Sequence, residues 1–175
     1  MEVYLIRHTT PHIEKDVCYG QSDISLADTF EVEWQAIREI LPQKIDVIFS
    51  SPLSRCRQLT IKLANHFGIS FIEDARLKEM NFGEWELKRW NEIDQTKLRH
   101  WMENYKTERC PDGESYEDVI GRVKSFINDQ LISARQRILL VTHAGIINGF
   151  DAIMNQQGGI DLKVGYGEIH IYKYP

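Results

Sequence analysis

The chain has 175 residues, 42% of them hydrophobic and four of them tryptophan, enough for one core in a domain that hides roughly 70% of its unfolded surface. Its 21 basic and 26 acidic residues give a formal charge of -5 with the signs interspersed, which excludes the basic stripe of a nucleic-acid binder and leaves any anionic ligand to be met by local charge. Three cysteines, Cys18, Cys56 and Cys110, without a C-x-x-C pair, exclude a disulfide framework and a zinc knuckle and fit a reducing compartment.

Residues 2 to 6 predict a first strand, and Glu2 and Arg7 interrupt this apolar run too soon for a signal peptide. No stretch approaches the roughly 20 apolar residues of a membrane span, so a cytoplasmic chain without membrane contact is expected. A loop through Pro11 and Gly20 follows. Residues 25 to 41 read as a helix, with Ser25 and Asp28 placed for a capping box and Phe30, Trp34, Ile37 and Leu41 on one face. The β-branched and aromatic residues 45 to 50 suit a buried strand. Ser51 as N-cap and Pro52 at the first helical position then open a helix that Gly68 stops, its apolar face carrying Leu59, Leu63 and Phe67.

Residues 69 to 74 predict a third strand, and the polar "ARLKEMNFGEWE" leaves it for a surface excursion. Residues 86 to 106 read as helical; their two tryptophans and many charges suit a flap over an opening better than a core helix. Ser115 with Asp118 caps a helix to Leu131, residues 137 to 142 are a buried strand, 144 to 155 a helix and 167 to 174 a final strand. Five strands separated mostly by helices argue for one three-layer α/β/α domain over residues 1–175, with a mostly parallel mixed sheet whose last strand is the candidate for the antiparallel direction.

Ligands of open α/β sheets sit beyond the carboxyl ends of the strands, and three predicted strands end in polar residues of a related kind. The first ends in Arg7 and His8; the second in Ser50 and Ser51, with Arg55 on the next helical turn; the fourth in Thr142 and His143, with Ala144 and Gly145 opening a helix whose N-H groups favour an anion. The third leads to Glu79. Two arginines and two histidines on one edge are costly to hold together unless an anion neutralises them, and phosphate matches guanidinium forks bidentately. Taken singly, His8 is an ordinary turn residue, His143 a satisfied helix-capping histidine, Arg55 a helix-face charge and Glu79 a loop carboxylate; their common placement is what distinguishes them. A P-loop, an H-E-x-x-H helix and a G-x-S-x-G elbow are all missing. The cysteines lack any adjoining signal for a thiol nucleophile and are expected as small core or wall residues.

"LIRHT", "SPLSRCRQLT", "LKEMNFGEWE", "PDGES" and "VTHAG", in this order along nearly the whole chain, resemble the successive motifs of the histidine phosphatase, or phosphoglycerate mutase-like, superfamily. The resemblance implies a phosphorylated nucleophile at His8, a phosphate pocket of Arg7, Arg55 and His143, and a proton donor at Glu79. Thr9 and Ala144 depart from it, since many members carry glycine there, and a turn that needs φ > 0 would be reshaped at Thr9. "RHTTP" followed by "DVCYGQSDISL" is most similar to the α-ribazole phosphatase branch. That likeness adds Tyr19, Gly20, Gln21, Phe82 and Ala144 as substrate contacts and a small-molecule phosphomonoester as partner, with no cofactor and no metal.

The chemistry expected is attack by neutral His8 on phosphorus. Arg7, Arg55 and a protonated His143 hold the oxygens, and Glu79 protonates the leaving alkoxide. Tyr19, Phe82, Trp85, Trp90 and Trp101 are candidates for an aromatic wall facing a benzimidazole-like base, each of them equally a candidate for packing. Broad-range phosphatase action, mutase-like transfer and a non-catalytic phosphate-binding module remain the alternatives.

Overall fold

A computed structural model describes residues 1–131, 137–154 and 163–173. Five strands, β1 (Glu2–Arg7), β2 (Val47–Ser50), β3 (Phe71–Glu73), β4 (Arg137–Thr142) and β5 (Ile169–Lys173), form one sheet in the order β3-β2-β4-β1-β5. All neighbours run parallel except β5, which is antiparallel to β1. The helices are α1 (Phe30–Ile40), α2 (Ser54–Phe67), α3 (Gln95–Asn104), α4 (Tyr116–Gln130) and α5 (Ala144–Met154). Asn155 and Tyr174, the last residues expected in α5 and β5, lie outside the described residues.

Strand alternation builds the three layers. Val3, Leu5, Ile138 and Leu140 point into a core shared with Phe126 and Ile127 of α4 and Ile147 and Phe150 of α5. Tyr4, Ile6, Leu139 and Val141 point the other way, onto Ile37 of α1 and Leu59 and Leu63 of α2. Successive Cβ atoms of a strand face opposite sides, and helices cover both faces, so β1 and β4 are apolar at nearly every position.

Three helix starts differ from the sequence expectation or confirm it. Ser115 and Asp118 form the predicted capping box of α4. Ser25 and Asp28 cap nothing: α1 begins at Phe30, and the Ser25 carbonyl instead accepts from the His12 N-H. The stretch around Ser25 pairs with the loop after β1, where Pro11 bridges Leu26, and that extended pairing delays the helix. Likewise α2 begins at Ser54 rather than after Ser51, with Leu53 in the cap position, and ends at Gly68 in the left-handed conformation as expected. Within 86–106 only Gln95–Asn104 is α-helical, and its Leu98 and Trp101 are buried in the same core cluster as residues of α4 and α5 rather than forming a flap. No helix of the described residues is long and apolar enough to cross a membrane.

Candidate active site

The strand order sets the site. Because β4 lies between β2 and β1, the carboxyl ends of these three parallel strands are adjacent, and the chain leaving each delivers Ser51, His143 and His8 to one edge. The ladders continue one step further: the His8 N-H donates to the Thr142 carbonyl (3.0 Å) and the Ser51 N-H to the Val141 carbonyl (2.9 Å).

His8 is buried, and its Nδ1 lies 2.7 Å from the Thr9 carbonyl oxygen. A carbonyl only accepts, so the proton is on Nδ1 and Nε2 carries the lone pair. Burial, then the nearby Arg55 and Arg7 cations, hold this imidazole well below its ordinary range. It is therefore neutral near pH 7, the form a nucleophile needs. Thr9 is buried with φ outside the left-handed region; the turn uses ordinary backbone and the missing glycine costs it nothing.

Arg55 is fully buried, and its Nη atoms donate to the carbonyls of Ser22 (2.8 Å) and Gly20 (2.6 Å). Arg7 donates to the Val164 carbonyl at 2.6 Å. In neither is Nε hydrogen-bonded within the described residues. Aromatic faces complete their surroundings: Tyr166 lies 3.8 Å from the Arg7 guanidinium carbon and Tyr19 lies 5.1 Å from that of Arg55. The two tyrosine hydroxyls are 3.0 Å apart. Cation-π contact offsets part of the desolvation, by up to about 2 kcal/mol each, and leaves the positive charge available to a ligand anion, as a carboxylate partner would not.

Gly20 supports this through its backbone. Its φ is +39°, and a Cβ there would stand 2.3 Å from Glu86 Oε1. Glu86 in turn accepts from the N-H groups of Gln21, Ser22 and Phe82, so one carboxylate holds the loop whose carbonyls hold Arg55. Gly20→Ala is expected to cost about 1–2 kcal/mol of stability from the positive φ alone and to weaken inorganic phosphate binding as well. Thermal unfolding and a phosphate titration check the two effects separately.

His143 is fully buried, with Nε2 2.8 Å from Ser51 Oγ and 3.4 Å from Cys56 Sγ. Its ring centroid is 5.2 Å from that of His8. Burial first, then Arg55 and His8, push its pKa well below the usual imidazole value, so the protonated His143 of the sequence reading is corrected to a neutral one. Ser51, expected as a helix cap, pairs closely with this histidine and keeps only a long 3.4 Å contact from the Leu53 N-H. Both histidines titrate near 6.5 once unfolded, so below that pH the unfolded chain binds protons that the folded chain refuses. Stability is full above about pH 7 and falls as pH drops through 6 toward the depressed folded values, each histidine contributing up to about 1.36 kcal/mol per pH unit. Urea midpoints at pH 7.5 and 5.5 should show the loss, and His143→Phe should remove the His143 share of it while the His8 share stays.

Glu79 closes the site from the excursion after β3. Its Oε1 accepts from the N-H groups of Met80 (3.0 Å) and Gly145 (3.1 Å), leaving Oε2 with one longer contact to Gly145 at 3.3 Å. The N-terminus of α5, expected to face a ligand anion, is thus occupied by this carboxylate. Gly145 permits the approach, because a Cβ there would sit 2.3 Å from Oε1. The Glu79 carbonyl is fixed from behind by Gln21 Nε2 (2.9 Å) and Arg122 Nη2 (3.0 Å), and Arg122 also ties down the carbonyls of Arg76 and Lys78.

Arg7, His8, Arg55, Glu79 and His143 therefore meet at one place. Of these five, Arg7 and Glu79 line a cleft of about 250 Å³ together with Lys15, Tyr19, Gly20, Phe82, Trp90 and Tyr166, while His8, Arg55 and His143 lie behind its walls. A second cavity, of about 220 Å³, shares Glu79 and Phe82 with it and reaches Trp101 and Ala144. Trp85, expected in the aromatic wall, is buried against Trp101 and lines neither. The side chain of Gln21 is turned to the Glu79 carbonyl. Lys15, Glu86, Arg122 and Tyr166 were not legible in advance: Lys15, Glu86 and Tyr166 lie in segments without periodicity, Arg122 reads as one polar position of the predicted α4 helix, and only Tyr166, between two glycines just before β5, had a local signal of closeness to a strand end.

A family model described as the histidine phosphatase superfamily (branch 1) matches residues 3–166. Over 180 residues, 97% of this chain and 89% of the other, the sequence is 31% identical to a provisionally named phosphoserine phosphatase 2 of Hydrogenobacter thermophilus. The fold is similar to that of a mycobacterial glucosyl-3-phosphoglycerate phosphatase, with TM-score 0.86 and 23% identity over 97% of this chain and 91% of that one. It is also similar to a provisionally named alpha-ribazole-5'-P phosphatase from Escherichia coli, with TM-score 0.80 and 21% identity over 88% and 79% of the two chains.

Proposed function

The chain belongs to the histidine phosphatase superfamily, branch 1, and from that premise, phosphatase-type hydrolysis of small phosphoesters, we propose that His8 takes the phosphoryl group and Glu79 serves the leaving oxygen. The observation that carries this reading is the His8 imidazole itself, its proton fixed on Nδ1 by the Thr9 carbonyl and its Nε2, among the described residues, without a hydrogen-bond partner near Arg55 and Arg7. Nε2 attacks phosphorus as the P–O bond to the alcohol breaks; the alkoxide takes a proton from Glu79. Water then cleaves the P–N bond, losing a proton to Glu79 and restoring neutral His8. Arg7 and Arg55 stabilise the charge on the equatorial oxygens throughout, the role a metal plays in other phosphatases.

For substrate we propose α-ribazole 5'-phosphate. The "CYGQSD" stretch supports it, as do the rings of Tyr19, Phe82 and Trp90 around the cleft; a stacked base contributes about 1–3 kcal/mol. Lys15 on the same cleft favours a second reading, a small phosphorylated carboxylate such as phosphoserine, the substrate named for the Hydrogenobacter relative. Comparing kcat/KM for α-ribazole 5'-phosphate, ribose 5-phosphate and phosphoserine separates them. The base should raise kcat/KM about tenfold over ribose 5-phosphate; phosphoserine in first place, with the preference lost in Lys15→Ala, would establish the second reading.

A further inference from the structure

Glu79 is held at both ends, and the two holds come from neighbouring helices. Its carboxylate lies against the Gly145 N-H at the start of α5, and its backbone is gripped by Arg122 of α4. The five N-H donors of a guanidinium all find acceptors here. Nε donates to Glu114 Oε1 (3.0 Å) and Nη2 to Glu114 Oε2 (3.1 Å), Nη1 donates to the carbonyls of Arg76 and Lys78 (2.6 Å each), and Nη2 donates also to the Glu79 carbonyl (3.0 Å). Glu114, just before the Ser115 cap, extends the grip: its Oε2 accepts from the Asn81 N-H (2.9 Å), and its own N-H donates to the Asn81 carbonyl (2.8 Å). One bidentate ion pair thus pins residues 76, 78, 79 and 81, although residues 78 to 82 have no regular secondary structure of their own. Arg122 differs in kind from Arg7 and Arg55. Its charge is matched by a carboxylate, both side chains are largely out of solvent (15% and 21% exposed), and it lines neither cavity.

We infer that Arg122, oriented by Glu114, is a positioning residue for proton transfer: it sets where the Glu79 backbone stands, and so whether the carboxyl group reaches the leaving oxygen. The inference rests on the phosphatase reading, which gives Glu79 that proton transfer. α4 and α5 pack on each other through Phe126 and Phe150, 6.3 Å between ring centroids, so the backbone hold and the carboxylate hold are referred to one packed pair of helices. Proton transfer needs heavy atoms about 2.6–3.2 Å apart, and a misplacement of about 1 Å costs on the order of 100-fold in rate. An irregular loop does not keep that tolerance by itself. Lysine is no replacement for Arg122, because three donors on one nitrogen cannot serve a carboxylate and three carbonyls at once.

The test is the dependence on leaving group, measured by rapid mixing on the whole chain. Arg122→Met keeps an apolar stem and removes all five donors. It should slow phosphorylation of the enzyme by ribose 5-phosphate about 10- to 100-fold, leave the p-nitrophenol burst from p-nitrophenyl phosphate within about threefold of wild type, and leave inorganic phosphate affinity unchanged. Arg122→Lys should behave as Arg122→Met does. In a Glu79→Gln background, Arg122→Met should slow ribose 5-phosphate by less than about twofold more, because the proton it places is already gone. Should Arg122→Met fail to fold, Glu114→Gln loosens the same grip and should shift the ratio of the two substrates in the same direction. A purely structural role predicts something else: both substrates slowed alike, together with a loss of phosphate-binding capacity. Equal slowing of both, an effect that multiplies in full with Glu79→Gln, or an unchanged ribose 5-phosphate rate in the folded variant overturns the positioning role. Failure of the phosphatase reading is seen in the wild type instead, which would then turn over neither substrate, and the role falls with it.

Discussion

His8→Ala should lose turnover of every phosphomonoester by about 10⁴-fold or more, the scale of losing a covalent nucleophile, while still binding inorganic phosphate. The two halves of this expectation come from different residues. Phosphate binding is expected of Arg7 and Arg55, which keep their carbonyl and ring contacts without the imidazole. Covalent chemistry needs a nitrogen with a free lone pair, and the geometry distinguishes the two histidines in this respect. Nε2 of His143 is engaged with Ser51 Oγ and Cys56 Sγ, whereas among the described residues His8 is anchored through Nδ1. Rapid mixing with labelled substrate followed by an alkaline quench should trap a base-stable, acid-labile phosphoryl group on His8 in the wild type and none in His8→Ala. Label mapping to His143, or turnover undiminished by the substitution, would show the nucleophile to be elsewhere.

What the sequence made legible divides along a physical line. β4 was read to the residue because a strand buried on both faces writes its boundaries as an unbroken apolar run between Arg137 and Thr142. The α4 cap was read because both partners of a capping box lie within four residues of each other. Arg7, His8, Arg55 and His143 were found because they follow strands, and the rule that sites lie at carboxyl ends converts a position in sequence into a position in space. The starts of α1 and α2 were misplaced where a long-range contact competes with a local one: Ser51 has a geometry suited to capping, yet its hydroxyl is taken by His143, 92 residues away. Glu86 and Arg122 act mostly through such distant partners, so no local pattern marks their roles. The occupation of the α5 N-terminus by Glu79, rather than by a ligand, belongs to the same class, being a contact across 66 residues.

Glu79→Gln should slow alkyl phosphates such as ribose 5-phosphate by about 10²–10⁴-fold, the range of a lost general acid, and leave phosphorylation of the enzyme by p-nitrophenyl phosphate within about tenfold of wild type. Glutamine is the informative replacement because its amide oxygen can accept the same Met80 and Gly145 N-H groups that now hold Oε1, and because the Arg122 and Gln21 contacts are to the backbone carbonyl. Position is therefore kept, and what disappears is the proton that a carboxylic acid delivers to the leaving oxygen. An alkoxide needs that proton; p-nitrophenolate leaves without it. Steady-state rates alone would blur the difference, since the same carboxylate is assigned the activation of water in the second step, and slow cleavage of the phosphohistidine would limit both substrates equally. Pre-steady-state mixing resolves this: with p-nitrophenyl phosphate the variant should release a burst of one p-nitrophenol per site at nearly the wild-type rate, then turn over slowly, whereas ribose 5-phosphate should give no burst. A burst slowed to the same degree for both substrates would place Glu79 outside proton delivery, as an element that merely shapes the pocket beside α5.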